Sequence, residues 1–202
     1  MGNIYAFIDV QNTDSTTKQI LNFEIDWVKL FHYLKNRWDC HSIFFYSGME
    51  IGDVYKEKEF INLKELGYIL RIKPYKTYKT LENKIHILCP NCKKVVTYHK
   101  SGKLKRKSNC DTELSVDAIN LSSHGSIFMI FSGDGDFEYL IRDAVIKGVR
   151  VYIISSGKKT KIANGYSTSR FSTKLRELIK ELSGQVFFID IDTWKYKISK
   201  DL

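Results

Sequence analysis

Residues 126–138 read Ser-Ile-Phe-Met-Ile-Phe-Ser-Gly-Asp-Gly-Asp-Phe-Glu, and this stretch decides the fold. Ile127 to Phe131 is an unbroken apolar run closed by Ser132-Gly133, which suits a strand buried on both faces of a sheet. Beyond it, Phe137, Leu140, Ile141, Ala144 and Val145 recur at helical spacing up to Lys147. Asp134 and Asp136 therefore fall where a central strand ends and a helix begins, the edge at which open α/β sheets place their ligands. Two like charges so close repel unless a cation lies between them. Each has a plainer reading as well, Asp136 as a helix N-cap and Asp134 as a turn residue beside glycine.

Two familiar aspartate motifs do not fit. A calcium loop starting at Asp134 needs Glu at its twelfth position, where Val145 stands. A haloacid-dehalogenase phosphatase needs a second Asp two residues after its first-strand Asp, and after Asp9 that place holds Gln11.

Outward from the central strand, the chain alternates strands and helices. Ile4 to Val10 is a second apolar run, interrupted near its end by Asp9 and followed by Gln11 and Asn12. A carboxylate in a buried strand is costly unless paired, coordinated or satisfied by backbone N–H groups at the strand end. The pattern predicts a helix from Trp27 to about Trp38, a strand over Ser42 to Tyr46, a helix over Val54 to Leu66 ended by Gly67, and a strand over Tyr68 to Ile72. Asp111 to Leu121 reads as a helix with Asp111 as N-cap and Asp117 on its inward stripe with Leu114, Ala118 and Leu121. Val149 to Ser155 and Val186 to Ile189 are further strands, and Leu175 to Leu182 ends a helix stopped by Gly184. This rhythm predicts an α/β fold: a mostly parallel central sheet with helices on both faces. The domain is expected over residues 1–193, with 194–202 a short tail around Trp194.

The chain has 202 residues, enough for one domain with its own core plus an insertion. No apolar run approaches membrane-spanning length, and no basic-then-apolar leader with a cleavage site opens the chain, so a cytoplasmic protein is expected, with no membrane partner. Four cysteines, Cys40, Cys89, Cys92 and Cys110, are too few and too unevenly spaced for a secreted disulfide scaffold. Cys40, beside Trp38, reads as a small core residue. The formal charge of +9 and pI near 9.2 favour a polyanionic partner, nucleic acid first. Oligomeric state is left open, a dimer included.

That charge is concentrated. Residues 74–108 break the alternation, and from Lys84 to Asn109 there are eight basic residues and no acidic one. This basic insertion reads as a β-hairpin. Lys103, Lys105, Arg106 and Lys107, together with Lys158, Lys159 and Lys161 in a second acid-free loop, are candidate phosphate contacts. Tyr75, Tyr78 and Tyr98 are candidate stacking platforms for bases. A solvated charged face is the simpler alternative. Cys89-Pro90-Asn91-Cys92 inside the insertion can aim two thiolates at one metal, with Cys110 as third ligand and His99 or His86 as fourth. Such a zinc ion would order a segment poor in apolar residues; two free thiols on a hairpin are the alternative.

Four separated pieces resemble one family in order and spacing. Phe7-Ile8-Asp9 with Asn12, Asn109-Cys110-Asp111 running to Asp117-Ala118, Ser132-Gly133-Asp134-Gly135-Asp136-Phe137, and Lys147-Gly148-Val149 are similar to an NYN domain, a branch of the PIN-like nucleases. The likeness runs from residue 4 to about 193, with 74–108 outside it. It implies a Rossmann-like sheet whose edge acids bind Mg²⁺ or Mn²⁺ and hydrolyse RNA. On this chain those acids fall on Asp9, Asp111, Asp134 and Asp136 as metal ligands, Asp117 as an alternate or supporting one, and Asn12 as an orienting residue. Hard divalent cations take oxygen ligands, so the residues alone lead to the same atoms. The expected activity is a metal-dependent ribonuclease. The alternatives are a silent RNA-binding protein of the same fold and a nuclease acting on DNA.

Overall fold

The computed structural model describes residues 2–79, 83–100, 104–161 and 167–200. Strand β1 (Ile4–Asp9) runs straight into helix α1 (Val10–Ile20), followed by α2 (Trp27–Trp38), β2 (Ser42–Met49), α3 (Val54–Leu66) and β3 (Ile69–Pro74). The insertion supplies β4 (Lys76–Lys79), β5 (Asn83–Leu88), β6 (Val95–Lys100) and β7 (Leu104–Lys107). The chain rejoins the core through α4 (Asp111–Leu121), β8 (Ile127–Phe131), a 3₁₀ turn (Gly135–Phe137), α5 (Glu138–Ile146) and β9 (Arg150–Ser155). It closes with β10 (Lys159–Lys161), β11 (Ser167–Ser169), α6 (Thr173–Glu181), β12 (Val186–Asp190), a 3₁₀ turn (Ile191–Trp194) and α7 (Lys195–Ile198).

The central sheet has six strands in the order β12-β9-β8-β1-β2-β3, and every neighbouring pair is parallel. The first three strands are laid down outward from β1 to one edge, and the next three outward from β8 to the other. Strand order therefore reverses between β1 and β8, the topological switch point at which α/β sheets open a crevice beyond their strand C-termini.

Alternation along each strand feeds two cores. Tyr5 and Phe7 of β1, with Phe128 and Ile130 of β8, pack under Leu114, Ala118, Ile141 and Leu178 of α4, α5 and α6. Ala6 and Ile8, with Met129 and Phe131, pack under Leu30 and Leu34 of α2 and Phe60 and Leu63 of α3. A one-residue slip of β1 would exchange the two sets. Burial of each such large side chain stabilises by about 1.5–3 kcal/mol.

Four segments differ from the sequence expectation. Helix α1 carries no apolar stripe; Thr13, Thr16 and Thr17 form its buried face. Thr13 Oγ1 donates to the carbonyls of Asp9 (2.7 Å) and Phe131 (3.0 Å), so the helix is seated by small hydroxyls. The expected tail at 194–202 is instead a packing element through residue 198: Trp194 is 5% exposed and Ile198 is fully buried. Asp26 N–H donates to the Ile198 carbonyl (2.8 Å), and the Trp194 ring packs tilted against Tyr33 and Trp38 and edge-on to Phe131. The insertion is two successive antiparallel ladders, β4 with β7 and then β5 with β6, and the loop after β9 contains a further small pair, β10 with β11. No helix among the described residues is long and apolar enough to cross a membrane.

Candidate active site

Asp9 ends β1 and Ser132 follows β8, one step past the paired residues Ile8 and Phe131. Ser132 Oγ–H donates to Asp9 Oδ2 (3.2 Å) and itself accepts the Asp134 N–H (3.2 Å). Asp9 Oδ1 accepts the Asn12 N–H (3.1 Å), which caps α1. Asn12 Oδ1 in turn accepts the Gly133 N–H (3.0 Å). The switch point is thus stitched by two hydrogen bonds between segments about 120 positions apart, each braced by a local one. Both plain readings of the central-strand acids are met in altered form: Asp134, not Asp136, caps the 3₁₀ turn by accepting the Asp136 N–H (3.0 Å).

Glycine is required at the joint. A Cβ on Gly133 would stand 2.6 Å from the Arg170 carbonyl oxygen and 2.7 Å from Ser155 Oγ. A Cβ on Gly135 would collide with Ser172 Oγ. The Gly-x-Gly spacing therefore lets the acid-bearing turn lie against the start of α6.

Asp111 arrives from the other side of the crevice at the first turn of α4. The expected N-cap position is taken by Cys110, without a side-chain cap bond. Asn109 Oδ1 accepts the Asp111 N–H (2.8 Å) instead. Asp9, Asp111, Asp134 and Asp136 line one pocket of about 240 Å³ with Asn12 and Arg170. A neighbouring pocket of about 380 Å³ shares Asn12, Asp134, Asp136 and Arg170 and extends to Lys174. Together they form an acid-floored groove with cations on one rim. A larger cleft of about 810 Å³ lies at the opposite, N-terminal end of the strands around Asn3, Trp38 and Gln185. It holds none of these acids and lies away from the switch point, so the smaller groove is the candidate site.

The Asp9 carboxyl is pushed up from its ordinary 3.8 to about 6, chiefly by burial and further by the negative charges of Asp111 and Asp134. The Asn12 N–H and Ser132 hydroxyl oppose that rise without cancelling it. Asp9 thus feels two neighbouring carboxylates and is under-compensated. A divalent ion would supply the missing charge, and an all-oxygen donor set suits Mg²⁺ or Mn²⁺. Among the described residues no three acidic, histidine or cysteine side chains stand in one ready-made metal cluster.

Asp117 is not brought to the groove. Its carboxylate accepts Arg71 Nε (2.9 Å) and Nη2 (3.2 Å) and the Tyr46 hydroxyl (3.0 Å), joining α4 to β3 and β2. Its inward placement is explained by these partners. Lys158 and Lys159 are exposed on the loop after β9. Lys103 lies outside the described residues, and Lys105, Arg106, Lys107 and Lys161 are described only as strand backbone. Tyr78 and Tyr98 are exposed, whereas the Tyr75 ring lies against Gly48.

The expected zinc quartet is not assembled. Cys110 is buried, its thiol aimed at the Ser47 carbonyl (3.6 Å), and burial pushes its pKa up. His99 pairs with Lys84, five positions along the ribbon from Cys89, roughly 16 Å at the rise of a strand. Cys40 is a core residue, 2% exposed.

Sequence reading passed over Ser132 and Arg170. Ser132 stood in the decisive stretch as a turn residue, and only the adjacency of β1 and β8 turns it into a bridge. Arg170 was one cation in a run of six. Its guanidinium donates to Ser15 Oγ (2.9 Å) and Gln19 Oε1 on α1, which pins it over the groove.

A family model described as the NYN domain matches residues 3–174. The chain belongs to the NYN domain family, whose members are nuclease-like hydrolases. No curated protein matches it. Among solved structures, a protein of unknown function from Vibrio parahaemolyticus is similar at 19% identity and a TM-score of 0.60, covering 95% of this chain and 94% of the other. At that identity the likeness shows the fold. Phosphofructokinase-2 from Escherichia coli, in complex with fructose-6-phosphate, aligns at 14% identity and a TM-score of 0.38, over 81% of this chain and 59% of the other.

Proposed function

We propose that this NYN-domain chain is a metal-dependent ribonuclease in which Asp9, Asp111, Asp134 and Asp136 share the holding of one or two Mg²⁺ or Mn²⁺ ions. One observation carries the reading. Acids from three separated segments converge on the sheet's switch point, and Asp9 among them is left short of positive charge.

A divalent ion at those carboxylates would neutralise phosphate charge and make a water molecule acidic enough to attack at neutral pH. The protein's own groups prepare the rest. Ser132 and the Asn12 N–H hold the Asp9 carboxylate from two sides. Asn12 also fixes the Gly133 backbone, which sets the turn carrying Asp134 and Asp136. Arg170, on the shared rim of both pockets, and Lys174, on the rim of the second, would bind the phosphates flanking the scissile one. The root of the insertion adjoins the groove, since Ser108 and Asn109 line it. The basic ribbon therefore starts at the site, and Tyr78 at its base is exposed for base stacking. All four cysteines are free thiols, which fits a reducing, cytoplasmic setting.

The test is incubation of purified protein with end-labelled single-stranded RNA and, separately, DNA of the same sequence, with Mn²⁺, Mg²⁺ or chelator. RNA cleavage that needs metal and is lost in Asp134→Asn is the expected result. Binding without cleavage in every metal would replace the enzyme by an RNA-holding protein, and cleavage of DNA alone would move the substrate.

A further inference from the structure

The Cys89–Cys92 turn has a feature that the nuclease reading does not use. It closes the far end of the β5–β6 ribbon, where Cys89 N–H donates to the Lys94 carbonyl (2.9 Å) and Lys93 N–H to the Cys89 carbonyl (3.0 Å). Lys93 takes a left-handed conformation, φ 57°, to complete the turn. Backbone N–H groups of Asn91 and Cys92, and the Cys92 side chain, hydrogen-bond to the Cys89 sulfur. Two free sulfurs therefore sit side by side at an exposed tip, with amides turned toward one of them. N–H donors at a sulfur stabilise it as thiolate, the form that ligates a metal. A Cys-x-x-Cys turn of this kind is half of a tetrahedral zinc site.

The other half does not come from the described residues of the same chain. His86 bonds to Thr97 across the ribbon (3.1 Å) and lies three positions, about 10 Å, from Cys89. His99 is farther still, and Cys110 is buried against β2 and β3. No group of three ligating side chains occurs among the described residues. A structural zinc site is closed by four ligands, and a two-fold axis through the ion doubles whatever one chain provides.

We infer that Cys89 and Cys92 bind zinc together with the same two cysteines of a second copy, so that one Zn²⁺ joins two chains at the tips of their inserted ribbons. Two further observations fit this partner. A four-thiolate zinc centre carries net negative charge, and Lys93 and Lys94 stand exposed beside it in each copy, so the centre offsets the repulsion of two basic ribbons. Register also places Ile85 opposite Tyr98 and Ile87 opposite Val96, on one face of the ribbon next to the turn. These four are 40%, 60%, 55% and 58% exposed respectively in the single chain, an apolar strip that a second ribbon would cover.

The experiment uses the full chain, stripped of metal and titrated with Zn²⁺ while zinc content and mass in solution are followed. The expected saturation is one zinc per two chains, with the mass doubling on addition and halving with chelator. Cys92→Ser should lose both properties with its circular dichroism unchanged, because the residue is exposed at a ribbon tip. His99→Ala should keep both. Co²⁺ in place of zinc should give the intense visible bands of a tetrahedral four-thiolate site. One zinc per monomer, no zinc bound, or a dimer that survives in Cys92→Ser would each overturn the inference. None of these readouts depends on cleavage.

Discussion

Replacing Asp9 by asparagine should stabilise the metal-free protein while abolishing cleavage. The carboxyl rises from 3.8 to about 6 on folding, first because it is buried and then because Asp111 and Asp134 are near. The folded state thus binds this proton more tightly than the unfolded state, so ionising Asp9 costs stability. At 1.36 kcal/mol per unit the full cost is about 3 kcal/mol. The cost is absent below pH 4, where both states are protonated, grows between pH 4 and 6, and is fully present above pH 6. Asparagine keeps the shape and an oxygen for the Asn12 N–H, but it presents N–H₂ where Ser132 donated. Ser132 Oγ already accepts the Asp134 N–H, so rearranging this bond returns about 1 kcal/mol. A net gain of about 2 kcal/mol corresponds to about 4–8 °C in Tm for a chain of this size. The assay is thermal unfolding of wild type and Asp9→Asn in chelator at pH 7.5 and pH 4. Mn²⁺ is then added at pH 7.5, and it should raise Tm of the wild type far more than that of the variant. Equal Tm values at pH 7.5, or a gap that persists at pH 4, would refute the argument that an under-compensated buried charge marks the site.

Asp117→Ala should cost about 2–3 kcal/mol by unfolding in urea, because it strands Arg71 and Tyr46, while the folded fraction keeps its cleavage rate; loss of activity at unchanged stability would return Asp117 to the chemistry. Gly133→Ala should destabilise by about 1–3 kcal/mol and weaken cleavage, since the added methyl meets the Arg170 carbonyl and Ser155; an unchanged Tm would mean the joint yields. Neutralising Lys103, Lys105, Arg106 and Lys107 should flatten the dependence of log affinity for single-stranded RNA on log salt, by about 0.7 for each phosphate contact removed; an unchanged slope would take the ribbon off the binding surface.

The inner strands of the sheet, β9, β8, β1 and β2, were legible because they are buried on both faces and appear as apolar runs, whereas edge strand β3 carries Arg71 and Lys73 and showed through the alternation of elements around it. Helix α2 was legible by its apolar stripe and helix α3 by its stop signal; Asp39 and Gly67, in left-handed conformations, end them. Only Gly67 announces itself in sequence. Helix α1 escaped because its inward face is threonine, and threonine in a sequence suggests a cap or a strand before it suggests a core. The terminal turn around Trp194 escaped because its anchors are only three residues, Ile191, Trp194 and Ile198, too few to show a period.

The site divides along the same physical line. Asp9 and the Asp134–Asp136 pair stood out because a charge at the end of an apolar strand has a cost that local sequence does not offset. Asp117 met that criterion too, and periodicity placed it correctly on an inward face. Periodicity does not name the partner across that face, and here the partner is Arg71, from a strand separated in sequence by the whole insertion. The two cases part only when the charges around each are counted. Asp117 has a guanidinium and a phenol hydroxyl at hydrogen-bond distance, so its burial is compensated from within the chain. Asp9 has one backbone N–H, one hydroxyl and two neighbouring acids. An inward acid that the fold itself satisfies is structural, and one that the fold crowds with further acids at the strand-order switch is what the proposed cation would compensate.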